Sequence, residues 1–347
     1  MNTSLTSPPR PDPAHANPAP PEATPAEQAR ADAGDAGEHV MQCMEIWGGN
    51  EAIDAKVDMP GLRAWVYSKP YKGESAGGDI HYVSSCATGR ITRLLVADVS
   101  GHGTKVADLA VKLRDLMRRY VNYLDQSAFV RQLNREFAQV ASLGKFATAI
   151  VATYFSSSDC LVASNAGHPR PLWFQSRTRR WSILKDKPRE GDTREEPSNL
   201  PFGIDDISGY DQLKVHLAPG DLLVIYTDSL MEAQNSRGEL LGEEGLLRLA
   251  ETLDPGDPRR FMSDLIDRVI AFAGGEVPGD DITLMALAAS GRKPRPSLGA
   301  QAGAVWEFIL ALANSWRAGA PPVPWPDWNR ANLLGAFSER FGRSWNG

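Results

Sequence analysis

Cysteine is scarce in this chain of 347 residues, which contains only Cys43, Cys86 and Cys160. Their odd number and the lack of CxxC spacing exclude a disulfide framework and a cysteine-based zinc site, and favour a reducing compartment. The sequence also lacks the run of about eighteen uncharged apolar residues needed to span a membrane, and an apolar signal-peptide core. An excess of positive charge is missing too, since the net charge is −6. We therefore expect a cytoplasmic protein that has no membrane span and does not bind nucleic acid.

Composition divides the chain into three parts. Residues 1–38 are rich in Pro, Ala, Asp and Glu and have few bulky apolar side chains, which predicts a disordered tail. Residues 40–290 have the apolar patterns of a folded domain. The composition and apolar spacing of residues 291–347 predict a basic linker followed by a helical extension that is rich in tryptophan. Tryptophan is enriched where apolar surface is covered, so the extension is expected either to pack on the domain or to dock a second copy or an upstream regulator.

Periodicity within residues 40–290 predicts segregated runs of strands and helices. We expect strands near 62–67, 80–87, 91–97, 147–155, 160–165, 171–174, 181–184, 213–217, 221–227 and 282–288, and helices over 104–124, between 125 and 144, over 243–253 and over 259–273. Such runs favour an α+β sandwich of two antiparallel sheets flanked by helices. Alternating βα units, which would predict a doubly wound parallel sheet, are not found.

The stretch LLVADVSGHGTK, Leu94 to Lys105, is the first with chemical content. It predicts a buried strand that ends at Asp98, a turn with two glycines, and a helix start. Taken alone, Asp98 and Ser100 could equally well cap the turn. However, Asp79 begins the preceding strand of a predicted hairpin, which brings the two aspartates to one edge of a sheet. Two carboxylates there repel each other unless they are protonated or bridged by a cation.

Further aspartates share this position between a strand and a turn. The set is Asp79, Asp98, Asp228 and Asp280, with Asp281 adjacent. Mg²⁺ and Mn²⁺ prefer carboxylate and carbonyl oxygens. Two such ions about 3.5–4 Å apart can bind a phosphate and activate a water molecule. The pattern therefore predicts a two-metal site for phosphate chemistry.

Seven short motifs resemble those of the SpoIIE/RsbU-type serine phosphatases, a bacterial branch of the PP2C (PPM) phosphatases. They are GGD at 77–79, DVSGHG at 98–103, FATA at 146–149, NAGHP at 165–169, LPFG at 200–203, YTD at 226–228 and DDITL at 280–284. They follow the order of that family and extend over roughly residues 60–290. Each one alone is weak, but together they are specific.

The resemblance implies an αββα sandwich with a metal centre at one end of its strands. Asp79, Asp98 and the main-chain carbonyl of Val99 would bind one Mn²⁺ or Mg²⁺, and Asp228 and Asp280 would complete the second. The implied reaction is hydrolysis of a phosphoserine or phosphothreonine by metal-activated water. The implied substrate is an anti-sigma factor antagonist of STAS type. The alternative is a catalytically weak member that acts as a binding module in a partner-switching pathway.

Three further residues in these motifs, Asp281, His102 and His168, are secondary candidates for the site. A histidine could protonate the leaving oxygen, although for His102 hydrogen bonding within its loop is the more ordinary role. No residue is assigned to phosphate binding from the sequence.

The sequence departs from the family pattern after two of the motifs, GGD and YTD. Ile80, His81 and Tyr82 stand where a second acidic residue often follows GGD, and they also exclude the GGDEF motif of nucleotide cyclases. Ser229 replaces a usual glycine and would strain the turn if a positive φ were required there.

Overall fold

A computed structural model describes residues 37–41, 46–85, 91–101, 104–120, 123, 125–141, 144–156, 158–184, 199–205 and 208–291. Residues 1–36 and 292–347 lie outside the described residues, and with them nearly all of the predicted tail and extension. The division of the chain into tail, domain and extension therefore stays a prediction.

Thirteen described strands, numbered along the chain, form two sheets. The seven-stranded sheet has the order β1 (Gly37–Val40), β3 (Ile53–Met59), β4 (Leu62–Lys69), β13 (Ile282–Ala289), β12 (Leu222–Tyr226), β9 (Leu172–Gln175) and β10 (Arg180–Ile183). The six-stranded sheet has the order β11 (Leu213–His216), β8 (Cys160–Ala166), β7 (Ala147–Phe155), β6 (Ile91–Val99), β5 (Asp79–Ser85) and β2 (Ile46–Gly49).

The prediction of two antiparallel sheets is confirmed for every described pair except one. Strand β1 runs parallel to β3 and begins at Gly37, inside the segment predicted as tail. Its residues are mostly exposed, so main-chain hydrogen bonds rather than apolar burial place it there. An edge strand of this kind leaves little apolar periodicity in the sequence, which is why it was not predicted.

Four described helices cover the outer faces of the sheets. They are α1 (Thr104–Arg119), α2 (Gln126–Val140), α3 (Gly242–Ala250) and α4 (Pro258–Phe272). Leu113 of α1 and Phe129 of α2 are buried in one apolar cluster with Leu95 of the six-stranded sheet. Leu246 and Phe261 of the other two helices are buried against the seven-stranded sheet. None of the described helices is long and apolar enough to cross a membrane.

A third apolar cluster fills the space between the sheets. It includes Val66 and Met285 from the seven-stranded sheet and Val96 and Ile150 from the six-stranded sheet. Two helices, two sheets and two helices thus form four layers, which confirms the predicted αββα sandwich.

Helix α1 is shorter than predicted. The helix ends at Arg119 instead of continuing to Leu124. Tyr120 donates its N–H to the carbonyl of Leu116, and its own carbonyl accepts the N–H of Tyr123, which closes a turn. Asp125 then caps α2 by accepting the N–H of Ala128 with its side chain. The prediction was wrong at this end because Tyr120 is buried and so continues the apolar periodicity past the helix.

Candidate active site

Two strands of the six-stranded sheet bring the first pair of candidate ligands together. Asp79 of β5 lies opposite Asp98 of β6, and Asp98 lies opposite Thr148 of β7. Their neighbours Ile80 and Ala97 are buried in the cluster beneath α1 and α2. Because side chains alternate along a strand, the row of Asp79, Asp98 and Thr148 faces the other sheet. The hairpin prediction that placed both aspartates at one edge is confirmed.

The seven-stranded sheet contributes its aspartates at the same end. Asp228 follows β12 in a short 3-10 turn, and Asp280 precedes β13, which is antiparallel to β12. Thr227, directly before Asp228, donates its hydroxyl to Asp79 Oδ2 at 2.8 Å. This hydrogen bond joins the two sheets at the site. The candidate active site therefore lies between the sheets at one end of the sandwich.

Thr227 is a functional candidate that sequence reasoning missed. Its side chain is fully buried, and its Oγ1 accepts the N–H of Thr283 at 3.0 Å. Thr283 Oγ1 lies 2.9 Å from Ser68 Oγ, which extends the chain of hydrogen bonds into β4. The Thr227 hydroxyl is held between the Thr283 amide and Asp79, so it restricts the orientation of that carboxylate. Its place within YTD was the only signal in the sequence.

Asp281 anchors the GGD turn. One carboxylate oxygen accepts the N–H of Tyr71 at 2.7 Å, and the other accepts those of Gly78 at 2.6 Å and Asp79 at 3.3 Å. A Cβ added to Gly77 would lie only 2.3 Å from Asp281 Oδ2, so glycine is required for this close approach. Both oxygens of Asp281 are thus engaged by main-chain donors. This secondary candidate fits a positioning role.

The main chain of Val99 lies against the same turn. Its N–H donates to the carbonyl of Gly78 at 3.3 Å. A Cβ on Gly78 would lie 3.0 Å from the Val99 carbonyl oxygen. The second glycine of GGD therefore allows this carbonyl to stand beside the Asp79 and Asp98 pair. Its role as a ligand stays a prediction.

The carboxylates disfavour one another's ionisation. Burial, and then the charges of Asp98 and Asp281, raise the pKa of Asp79 well above its usual value. Burial raises the pKa of Asp98 to about 7, with further contributions from Asp228, Asp280, Asp281 and Glu232. The pKa of Asp228 is raised to about 6 by burial and by the charges of Glu232 and Asp280. Glu232, one turn after Asp228, is an acidic group that the motifs did not reveal.

This donor set matches a hard divalent cation in its chemistry. The groups are carboxylate oxygens in a partly buried site, where a cation would relieve the repulsion that raises their pKa values. Among the described residues, no group of three or more His, Cys, Asp or Glu is arranged to hold a metal ion.

His168 belongs to a turn that its own motif closes. Asn165 accepts the N–H of His168 at 2.7 Å and donates to its carbonyl at 2.8 Å. The ring Nδ1 lies 2.9 Å from Thr148 Oγ1, next to Asp98 in the row across the sheet. Burial lowers the pKa of His168 to about 3, so the imidazole is uncharged at neutral pH. These contacts favour a positioning role over proton donation. His102 lies outside the described residues.

The departures from the family pattern are accommodated without a positive φ. Ser229 is buried in the 3-10 turn and is not among the residues with positive φ, so the strain considered for this position does not occur. Ile80, His81 and Tyr82 are all buried within β5, and burial lowers the pKa of His81 to about 4.

Comparison with known proteins decides the family. Residues 88–290, more than half of the chain, match the family model described as stage II sporulation protein E (SpoIIE). The chain belongs to the SpoIIE family. Within this family, the chain is 23% identical over 195 residues to the phosphoserine phosphatase RsbU of Bacillus subtilis, covering 56% of this chain and 54% of RsbU. It thus spans about half the length of that relative.

Structural neighbours of this SpoIIE-family chain share its fold. The RsbU and RsbW domains of a Mycobacterium tuberculosis protein superpose with a TM-score of 0.55 at 22% identity, over 74% of this chain and 69% of that one. The PP2C phosphatase domain of SpoIIE with a fragment of its regulatory domain, from Bacillus subtilis, superposes with a TM-score of 0.53 at 15% identity. The match covers 72% of this chain and 64% of that one. The SiaA PP2C domain of Pseudomonas aeruginosa superposes with a TM-score of 0.52 at 16% identity, and the match covers 65% of this chain and 84% of that one. The fold is therefore PP2C-like.

Proposed function

We propose that this protein is a protein serine/threonine phosphatase that depends on two Mn²⁺ or Mg²⁺ ions. The observation that carries the proposal is the placement of Asp79 opposite Asp98 at the end of one sheet, with Asp228 and Asp280 at the same end of the other. Membership of the SpoIIE family supports it. So does the phosphoserine phosphatase name of its relative RsbU.

In this proposal the principal residues act as metal ligands in two groups. Asp79, Asp98 and the Val99 carbonyl would bind one ion, and Asp228 and Asp280 would complete the second. The ions would supply Lewis acidity for the phosphate oxygens and lower the pKa of the attacking water.

The surrounding residues prepare the site for this chemistry. Thr227 orients Asp79 through the bond between the sheets. Asp281 fixes the turn that carries Asp79 by accepting main-chain N–H groups. Because these positioning residues are buried, the carboxylates are held before substrate arrives, which lowers the cost of reorganisation during the reaction.

The proposed substrate is a phosphorylated antagonist protein of STAS type in a partner-switching pathway, and the proposed location is the cytoplasm. Supporting evidence comes from the relatives, one of which combines an RsbU domain with an RsbW domain in one chain. The C-terminal extension stays a candidate for contact with a second copy or with a regulator.

A catalytically weak binding module is the second candidate function. It is favoured by one observation, that the described acidic side chains are not arranged to hold a metal ion as they stand. Such a protein would bind the phosphorylated or free antagonist without hydrolysing it. Binding and turnover must therefore be measured in the same preparation.

The test is hydrolysis of p-nitrophenyl phosphate and of a phosphorylated STAS protein, each with Mn²⁺ and with EDTA. We expect phosphate release from both substrates only with the metal. Folded protein that binds the STAS protein but releases no phosphate with Mn²⁺ would favour the binding module. Hydrolysis that persists in EDTA would contradict metal dependence.

A further inference from the structure

The ammonium group of Lys145 lies on the turn that follows Asp98. Its Nζ donates to the carbonyl of Ser100 at 2.8 Å, and a Cβ added to Gly101 would lie 2.4 Å from this nitrogen. Gly101 has a φ of +94°, which only glycine adopts without strain. The adjacent Phe146 exchanges two hydrogen bonds with Ser100, at 2.9 and 3.0 Å. Lys145 is thus tied to the loop that carries a principal candidate ligand.

The main chain of Lys145 is held on its other side by the LPFG motif. Ala147 and Phe202 exchange main-chain hydrogen bonds of 2.9 and 2.8 Å. A Cβ added to Gly203 would lie 3.0 Å from the Lys145 carbonyl oxygen, and the Gly203 N–H donates to Asn134 at 3.0 Å. Two loops therefore fix the backbone from which the lysine side chain extends. A side chain on a fixed backbone loses less conformational entropy when it binds a ligand.

The charge of Lys145 is not neutralised by the described residues. Its described hydrogen bond goes to an uncharged carbonyl, and no described carboxylate forms an ion pair with it. An ammonium group has three N–H donors, so two remain for another acceptor. The side chain is only partly buried, which leaves this cation accessible from solvent.

The acidic site needs positive charge where an anion approaches. Six carboxylates contribute to its electrostatics: Asp79, Asp98, Asp228, Asp280, Asp281 and Glu232. Two divalent cations would not fully neutralise six ionised carboxylates, and a phosphate monoester brings about two further negative charges at neutral pH. A lysine at the rim would offset part of the resulting repulsion.

We propose that Lys145 binds the phosphate group of the phosphoserine or phosphothreonine substrate. Two of its N–H groups donate to phosphate oxygens while the third stays on the Ser100 carbonyl. The proposal rests on the proposed phosphatase function, and it supplies a phosphate-binding residue, a role that sequence analysis left unassigned. It also gives the LPFG motif a role, which is to hold the backbone of this lysine.

The experiment uses the full chain loaded with Mn²⁺ and compares Lys145→Met and Lys145→Arg with the wild type. Lys214→Met, on the exposed edge strand β11, is the matched control. The measurements are KM and kcat for p-nitrophenyl phosphate, and the dissociation constants of inorganic phosphate and Mn²⁺ by calorimetry. Lys145→Met should raise KM and the phosphate dissociation constant about ten- to a hundredfold, as expected for lost charge-assisted hydrogen bonds.

Other measurements distinguish phosphate binding by Lys145 from a purely structural role in holding the turn after Asp98. Mn²⁺ affinity should be unchanged in Lys145→Met, Lys145→Arg should recover most of the phosphate affinity, and Lys214→Met should match the wild type. Unchanged phosphate affinity in Lys145→Met, with or without weaker Mn²⁺ binding, would overturn the proposal. Absence of hydrolysis by the wild type would count against the phosphatase function alone, because phosphate binding still tests Lys145.

Discussion

Gly77→Ala tests how the GGD turn is held. The new Cβ would lie 2.3 Å from Oδ2 and 2.7 Å from Oδ1 of Asp281, whereas ordinary contact begins near 3.4 Å. The Asp281 side chain would have to move away, which would weaken the hydrogen bonds that it accepts from the N–H groups of Gly78 and Asp79. Weakening such buried hydrogen bonds, together with the overpacking, should lower the free energy of unfolding by about 2–4 kcal/mol. For a domain of this size the melting temperature should fall by roughly 5–12 °C.

The assay is thermal and urea unfolding of the metal-free protein, with Gly279→Ala as the matched control. Gly279 also lacks a positive φ, and a Cβ there meets nothing within 4 Å, so its replacement should change the unfolding free energy by less than about 0.5 kcal/mol. If Gly77→Ala is as stable as this control, Asp281 does not anchor the turn as described.

Two further predictions concern the buried groups beside the carboxylates. Thr227→Val should weaken Mn²⁺ binding about tenfold in calorimetry, because Asp79 loses its orienting donor. Thr227→Ser keeps the hydroxyl and should keep the wild-type affinity. Equal Mn²⁺ affinities in the wild type and both variants would contradict the role of Thr227. For His168, the folded-state pKa of about 3 lies below the usual 6.5, so the unfolded chain takes up the proton first and stability is lost as the pH falls below about 6.5. His168→Asn should remove up to about 2 kcal/mol of the stability loss between pH 7 and pH 5 in urea unfolding, whereas the exposed control His216→Asn should not.

The fold and the principal aspartates were predictable because their signals are local. Alternation along β5 and β6 and the short connection between them place Asp79 and Asp98 at one sheet edge, as the strand register confirms. Segregated runs of strands and helices predict a layered α+β sandwich. Both inferences use only neighbours in sequence, for which periodicity is informative.

The contacts of the positioning residues could not be predicted because they join residues that are distant in sequence. Thr227 contacts Asp79 across 148 positions, and Asp281 contacts Gly78 across 203. Lys145 reaches Ser100 across 45 positions. No local pattern encodes such pairs, since they form only when the two sheets stack and the loops meet.

The most direct test of the metal-dependent phosphatase is Asp98→Asn, with the exposed Asp108→Asn of α1 as control. The substitution removes one charge from a site where the pKa of Asp98 is raised by burial and neighbouring carboxylates, so folding should be retained. Calorimetry should show loss of Mn²⁺ binding, and hydrolysis of p-nitrophenyl phosphate should fall at least about a hundredfold, while Asp108→Asn matches the wild type. Folded Asp98→Asn protein that binds Mn²⁺ and hydrolyses the substrate at the wild-type rate would contradict the account.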